Sequence, residues 1–220
     1  MSIRITNIFF DLDGTLIDSA PSILAGFAAV LDASGLTAQR PLDSSVIGPP
    51  LMDTLAQLTG VADPVALASL ATQFKQYYDS EGFRLSVAYP GVDEVLASLF
   101  ADGIDLHLTT NKRTVPTQMI VTHFGWDEWL RSTYALDMPG QQFGNKAAML
   151  AQQLLDQGVD PAGAIYVGDH DGDRAAASAN GVMFVAAKWG YGHFPATMPD
   201  PAMDSMQEVL AWVRRHNAKQ

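Results

Sequence analysis

An α/β fold with a parallel sheet, interrupted by an inserted block of helices, is the class this sequence predicts, and three observations predict it. Short runs suited to buried strands alternate with stretches of helical spacing, at residues 4–10, 104–109, 164–167 and 182–186. No strand pattern appears between Thr15 and about residue 84, where the periodic stretches have helical spacing. The first three runs each finish in residues that carry chemistry, the feature expected where a parallel sheet presents the C-terminal ends of its strands. The expectation is a three-layer, Rossmann-like α/β core with a parallel sheet, made of residues 1–14 and 86–220, plus an all-helical insertion over residues 15–85.

The elements follow in order. Residues 4–10 read as a buried strand, and residues 21–34 as a helix through Ile23, Phe27, Val30 and Leu31, stopped by Gly35. Residues 51–59 and 64–79 read as helices, the second with Pro64 in its first turn. Pro90-Gly91 punctuates the chain before an amphipathic helix over 92–102 (Val92, Val95, Leu96, Leu99), which Gly103 closes. Residues 104–109 alternate apolar and polar, as a half-buried strand does, although a central strand can read the same way. Pro116 opens the next helix, Tyr134 lies in a short strand, and residues 146–157 form a helix ended by Gly158. A strand at Ala164-Ile165-Tyr166-Val167, a small-residue helix over 173–180 and a strand from Val182 to Ala186 come next. Asp204 and Gln207 fit a capping-box variant that starts a last helix, and the tail after Arg215 is expected to fray.

Composition narrows the function classes. The 220 residues are 48% hydrophobic and 17% charged, with a net charge of −11, so a full core is available and disorder is not expected. An acidic chain is a poor partner for a nucleic-acid polymer or an anionic membrane. There is no cysteine, which excludes disulfides and thiolate metal sites and suits a reducing compartment. Neither a signal peptide nor a bilayer-spanning run is read in the sequence, so the expectation is a soluble cytoplasmic protein.

Chemistry concentrates at the strand ends. Asp11 and Asp13 close the run Ile8-Phe9-Phe10, two apart, so continued strand alternation would point both the same way with Leu12 facing the core. Two like charges this close repel unless a cation neutralises them, and a hard cation with oxygen ligands, most simply Mg2+, is the natural choice. The second strand ends in Thr109, Thr110, Asn111 and Lys112, the third in Gly168, Asp169, His170, Asp171, Gly172 and Asp173, and Lys146 stands just inside the helix preceding the third strand. Carboxylates, a hydroxyl, an amide and an ammonium make a phosphoryl-transfer set: nucleophile, metal ligands and donors for phosphoryl oxygens.

Asp11-Leu-Asp-Gly-Thr-Leu, Thr110-Asn-Lys, Lys146 and Gly168-Asp169…Asp173, in this order along nearly the whole chain, resemble the haloacid dehalogenase superfamily of phosphatases. Ile47-Gly-Pro-Pro-Leu51, Tyr89-Pro-Gly-Val92 and Trp189-Gly-Tyr-Gly192 are similar to its phosphoglycolate phosphatase and 5′-nucleotidase-like branch. The resemblance implies that the helical insertion is a mobile cap, with the active site between it and the core. It implies that Asp11 is the nucleophile that forms an aspartyl-phosphate, and that Asp13 protonates the leaving oxygen and then activates water. Magnesium would be held by Asp11, the backbone carbonyl of Asp13 and Asp169, with Asp173 supporting the metal's waters or orienting Lys146. Thr110 and the backbone amide of Asn111 would bind phosphoryl oxygens, and Lys146 would offset charge on phosphate and Asp11. The implied activity is hydrolysis of a small phosphorylated metabolite, phosphoglycolate-like or a nucleoside monophosphate.

Other readings stand beside these. A dehalogenase would need no metal and lacks the second aspartate; a phosphomutase can use the same core residues but keeps the phosphate in its product; a non-catalytic phosphate-binding module would be inert. Asp169, Asp171 and Asp173 do not make an EF-hand, because the sixth and twelfth positions are Arg174 and Asn180. Lys112 rivals Lys146 for the cationic role, and Gly48-Pro49-Pro50 reads either as a rigid turn or as a specificity loop. Within the insertion, Arg40, Lys75 and Arg84 are candidates for a substrate carboxylate, and Phe27, Tyr77 and Tyr78 for a base. Trp126, Trp129 and Trp189 read as packing residues, and His170 and His193 receive no role.

Overall fold

A computed structural model describes residues 3–47, 51–195 and 197–219, and the candidate specificity loop Gly48-Pro49-Pro50 lies outside the described residues. The chain divides into two compact units, one of residues 1–18 and 88–220, the other of residues 19–87.

The first unit is built on strands β1 (Asn7–Phe10), β4 (Asp105–Thr110), β5 (Leu130–Ala135), β6 (Ala164–Gly168), β7 (Met183–Ala187) and β8 (Ala202–Met203). They form one parallel sheet in the order β5-β4-β1-β6-β7-β8. Its helices are α4 (Val92–Ala101), α5 (Thr114–Phe124), α6 (Lys146–Gln157), α7 (Asp171–Ala179) and α8 (Met206–Asn217). Short strands β2 (Ile17–Asp18) and β3 (Val87–Ala88) stand where the chain leaves and re-enters this unit. Alternation along the strands sends Phe9, Tyr166, Phe184 and Ala186 against Leu150 and Leu154 of α6 and Ala176 and Ala177 of α7. Ile8, Phe10, Leu106, Leu108, Ile165 and Val167 take the other side of the sheet, and all are fully buried. A sheet covered on both faces is the three-layer α/β architecture.

The second unit contains α1 (Ala20–Ser34), α2 (Leu51–Thr59) and α3 (Pro64–Ser80). Helix α1 ends on Gly35, whose φ of 63° is the left-handed cap that glycine adopts at little cost. Phe27 and Phe74 meet at 4.7 Å, and Gly26 lets Phe74 approach closely. Phe27 and Tyr78, candidate base platforms, are 3% and 2% exposed and belong to this unit's core. Arg40 donates to Gln57 and Ser45, Lys75 is exposed, and Arg84 lies over its neighbour Phe83.

Several local expectations are corrected. Helix α7 starts at Asp171, with His170 as its N-cap, because the His170 side chain and Asp173 make reciprocal bonds to the first turn's backbone. Helix α8 is capped by Ser205, not Asp204, with the Asp204 N–H held by Glu208. The chain end does not fray at Arg215: Asn217 exchanges two hydrogen bonds with the backbone of Ile5. Strand β4 is not half-buried, since His107 and Thr109 are 0% exposed. Their polar groups are satisfied inside the layer that faces α6, as described below.

Candidate active site

Strand β1 runs between β4 and β6, with Phe10 paired to Leu108 and Val167. Asp11 therefore leaves the sheet between the ends of its two neighbours, and its N–H still donates to Val167. Strand alternation does not continue past this point. The N–H groups of Thr15, Leu16 and Ile17 all donate to the Leu12 carbonyl, Gly14 adopts φ 84°, and Asp13 bridges to Ile17. The two aspartates are thus placed by a tight turn, and each finds its own cation.

For Asp11 that cation is Lys146. Asn145 caps α6 by accepting the Ala148 N–H, which fixes Lys146 as the first helical residue. The ammonium, on a residue 8% exposed, lies 2.8 Å from Asp11 Oδ1 and 2.5 Å from Asp173 Oδ1. Burial pulls its pKa down, but Asp11 and Asp173 outweigh this and hold it well above its usual value. Asp13 pairs with Lys112, whose Nζ is 2.9 Å from Asp13 Oδ1. Thr110, 1% exposed at the end of β4, accepts the Lys112 N–H on Oγ1, and Asn111 between them is exposed.

Asp169 stands at the end of β6, 2% exposed, and its Oδ2 accepts the N–H groups of Tyr191 and Gly192 at 2.8 and 3.3 Å. This loop can reach it only because of glycine. A Cβ on Gly192 would sit 1.7 Å from the Asp169 carbonyl oxygen, and one on Gly190 2.2 Å from the Gly14 carbonyl oxygen. Trp189 and Tyr191 complete the clasp: the indole N–H donates to the Thr15 carbonyl at 2.9 Å and the phenol to Asp18 at 2.7 Å. Trp189, read from sequence as packing, thus ties the Asp169 loop to the Asp11–Asp18 segment. The spacing of two glycines around an aromatic, Trp-Gly-Tyr-Gly, was the available signal.

Oxygens of Asp11, Asp169 and Asp173 lie within 4.8 Å of one another. Burial pushes Asp11 up to about 8; Lys146 opposes the shift, and Asp173 and Asp169 add to it. Burial also raises Asp169, against the backbone N–H groups that hold its charged form. With all four carboxylates ionised (Asp11, Asp13, Asp169, Asp173) against two ammonium groups (Lys112, Lys146), the cluster carries two negative charges, the charge that one divalent cation cancels. The donor set fits a hard cation. Asp11 Oδ2 and Asp169 Oδ1 accept no hydrogen bond among the described residues, whereas Asp173 uses one oxygen on Lys146 and the other on the His170 N–H. Asp11 and Asp169 are therefore better free ligands, and Asp173 better suited to hold Lys146. His193 is exposed.

No described helix is long and apolar enough to cross a membrane. Residues 8–187 match the family model described as haloacid dehalogenase-like hydrolase. The chain is 30% identical over 186 residues to tyrosine-protein kinase PtkA of Mycobacterium tuberculosis; the match covers 84% of this chain but only 62% of that relative. It is 30% identical over 190 residues to phosphoglycolate phosphatase of Xylella fastidiosa, covering 84% of this chain and 80% of that one. A solved haloacid dehalogenase-like hydrolase from Streptococcus pneumoniae shares its fold with a TM-score of 0.81 and 27% identity, covering 94% and 98% of the two chains.

Proposed function

The chain belongs to the haloacid dehalogenase-like hydrolase family, and from that premise we propose that it is a magnesium-dependent phosphatase acting on a small phosphomonoester. The observation that carries this reading is the Lys146 ammonium bridging Asp11 and Asp173, with Asp169 beside them. A carboxylate cannot approach an anionic phosphate without counter-charge, and this cluster lacks two positive charges of being neutral.

Asp11 and Asp169, with the Asp13 backbone carbonyl, would hold the magnesium ion, and Asp173 would anchor Lys146. When bound, the ion supplies counter-charge to the phosphoryl oxygens and to the carboxylates around Asp11. Asp11 attacks phosphorus to form an aspartyl-phosphate while Asp13, carrying a proton on Oδ2 in the ester-bound state, gives that proton to the departing alcohol oxygen. Asp13, now a base, takes a proton from water; that water attacks phosphorus, the bond to Asp11 breaks, and inorganic phosphate leaves. Lys146 keeps its charge on the Asp11 side throughout. The Thr110 hydroxyl and the Asn111 amide take the remaining phosphoryl oxygens. The phosphatase named among the relatives acts, by its name, on phosphoglycolate, which makes small carboxylate-bearing phosphoesters the first class to try.

The test is a phosphate-release screen over phosphorylated metabolites with magnesium, with Asp11→Asn in parallel. Release by wild type and not by the variant supports the reading; equal release by both sinks it. The kinase named among the relatives suggests a second reading, transfer of a phosphoryl group to tyrosine. Labelled ATP with a tyrosine-containing acceptor separates the two.

A further inference from the structure

Lys112 is built into the site with more care than a surface lysine. Its N–H is held by Thr110 Oγ1 at 3.1 Å, and its carbonyl accepts the Leu136 N–H at 3.1 Å, so its backbone is tied to the ends of two adjacent strands. The side chain is 9% exposed, and its ammonium meets an acid 99 residues away at 2.9 Å. That acid uses one oxygen only: Asp13 Oδ2 makes no hydrogen bond among the described residues. Holding a long, rotamer-rich side chain in one buried geometry is unfavourable unless the contact fixes something. Here the contact fixes the torsion of the Asp13 carboxyl group, next in the chain but one after Asp11.

We propose that Lys112 is a positioning residue for the phosphatase reaction: by holding Asp13 Oδ1 it presents the other oxygen of Asp13 for proton exchange, first with the leaving alcohol and then with the attacking water. The inference rests on the phosphatase reading and goes beyond it, since no charge on the phosphoryl group need be met by Lys112. Lys146 serves the nucleophile; Lys112 serves the acid and base. Both steps that use Asp13 then depend on Lys112, while the attack of Asp11 on an ester with a good leaving group does not.

The experiment compares wild type, Lys112→Met, Lys112→Arg, Asp13→Asn and the Asp13→Asn/Lys112→Met double variant, with magnesium. The probes are glycerol phosphate, whose alkoxide needs a proton to leave, and p-nitrophenyl phosphate, whose phenolate does not. Lys112→Met is expected to lose about a hundredfold in kcat on glycerol phosphate with KM little changed. On p-nitrophenyl phosphate it should show a burst of nitrophenolate and a phosphoryl group trapped on Asp11, because the attack proceeds while the hydrolytic step lags. Lys112→Arg should recover part of the loss, and the double variant should be no slower than Asp13→Asn alone. Losses that multiply in the double variant overturn the proposal, as does a raised KM with kcat intact, which would make Lys112 a substrate-binding cation. Should Lys112→Met not fold, Lys112→Gln carries the same comparison. An active wild type with a fully active Lys112→Met sinks this inference alone; a wild type that releases phosphate from no ester sinks the phosphatase reading beneath it.

Discussion

Two buried polar clusters share one sheet, and their contrast is informative. The first, at the strand tips, gathers Asp11, Asp169, Asp173 and Lys146 and leaves excess negative charge. The second lies within the layer between β1, β4, β5 and α6 and carries none. Here Thr109 Oγ1 donates to Gln153 Oε1, the Gln153 amide donates to Ser132 Oγ and the Leu108 carbonyl, and His107 sits between Ser132 and Asn7. Asn7 can only accept through Oδ1, so His107 Nε2 carries the proton and Nδ1 accepts from Ser132. Phe9 stacks on the imidazole at 4.5 Å. Every member of this chain is satisfied by another part of the protein, which makes it a structural network. The strand-tip cluster is not satisfied by the protein, which makes it a site.

The comparison breaks most sharply at Asp11. Asp11→Asn removes the oxygen proposed to attack phosphorus, and with it an acid whose ionisation burial and the neighbouring Asp173 and Asp169 oppose, so phosphate release should fall at least about ten-thousandfold, or more than about 5 kcal/mol of barrier. The metal-free variant should nonetheless unfold at a higher temperature than wild type, by about 1 kcal/mol of stability. A variant that is both inactive and less stable would count against the cluster as a strained site.

The neutral network has its own pH signature. Burial pushes His107 down to about 4, with Asp105 opposing and Arg131 assisting. Between that value and the unfolded pKa near 6.5 the unfolded chain binds the extra proton. The stability tied to a neutral His107 is therefore complete above about pH 6.5 and is lost as pH falls through about 4, on the order of 3 kcal/mol in all. Urea unfolding between pH 4 and 7, with His107→Gln as control, measures it; an unchanged slope in the control would reject the assignment.

Gln153→Leu strands three partners of that network and should cost about 2–3 kcal/mol in denaturant unfolding, with kcat on any accepted ester unchanged within about twofold. Loss of activity at matched stability would mean that the network also serves the site. The smallest expected effect is at the loop that holds Asp169. Gly192→Ala forces that loop away and should weaken magnesium binding about 10- to 100-fold, read by calorimetric titration or by the magnesium-induced rise in melting temperature.

Much of this molecule was legible in the chain. Alternating strand and helix periods fix a parallel α/β layer, because a strand buried on both faces and a helix with one apolar stripe have few ways to cover one another. The strand ends where polar residues accumulate, Thr110 and Asp169 among them, were readable for the same reason, whereas Lys146 and Asp173 lie in the first turns of α6 and α7 and stood out by residue type and by the family resemblance. Other features depended on partners distant in sequence. The alternation of 104–109 looked half-buried because nothing local reveals that Gln153 will satisfy Thr109. His170 became a helix cap through its own and Asp173's contacts with the first turn of α7.

The sequence by itself determined the class of fold, the helical insertion and the inventory of charged groups, since each is written in local period and residue type. Only the tertiary structure decided the pairing: Lys146 with Asp11 and Asp173, Lys112 with Asp13, and Trp189 with the Thr15 carbonyl. Spacing along a chain carries no information about which cation will meet which acid. That choice follows from strand order and register, which bring groups 27 to 174 residues apart in sequence to within hydrogen-bonding distance.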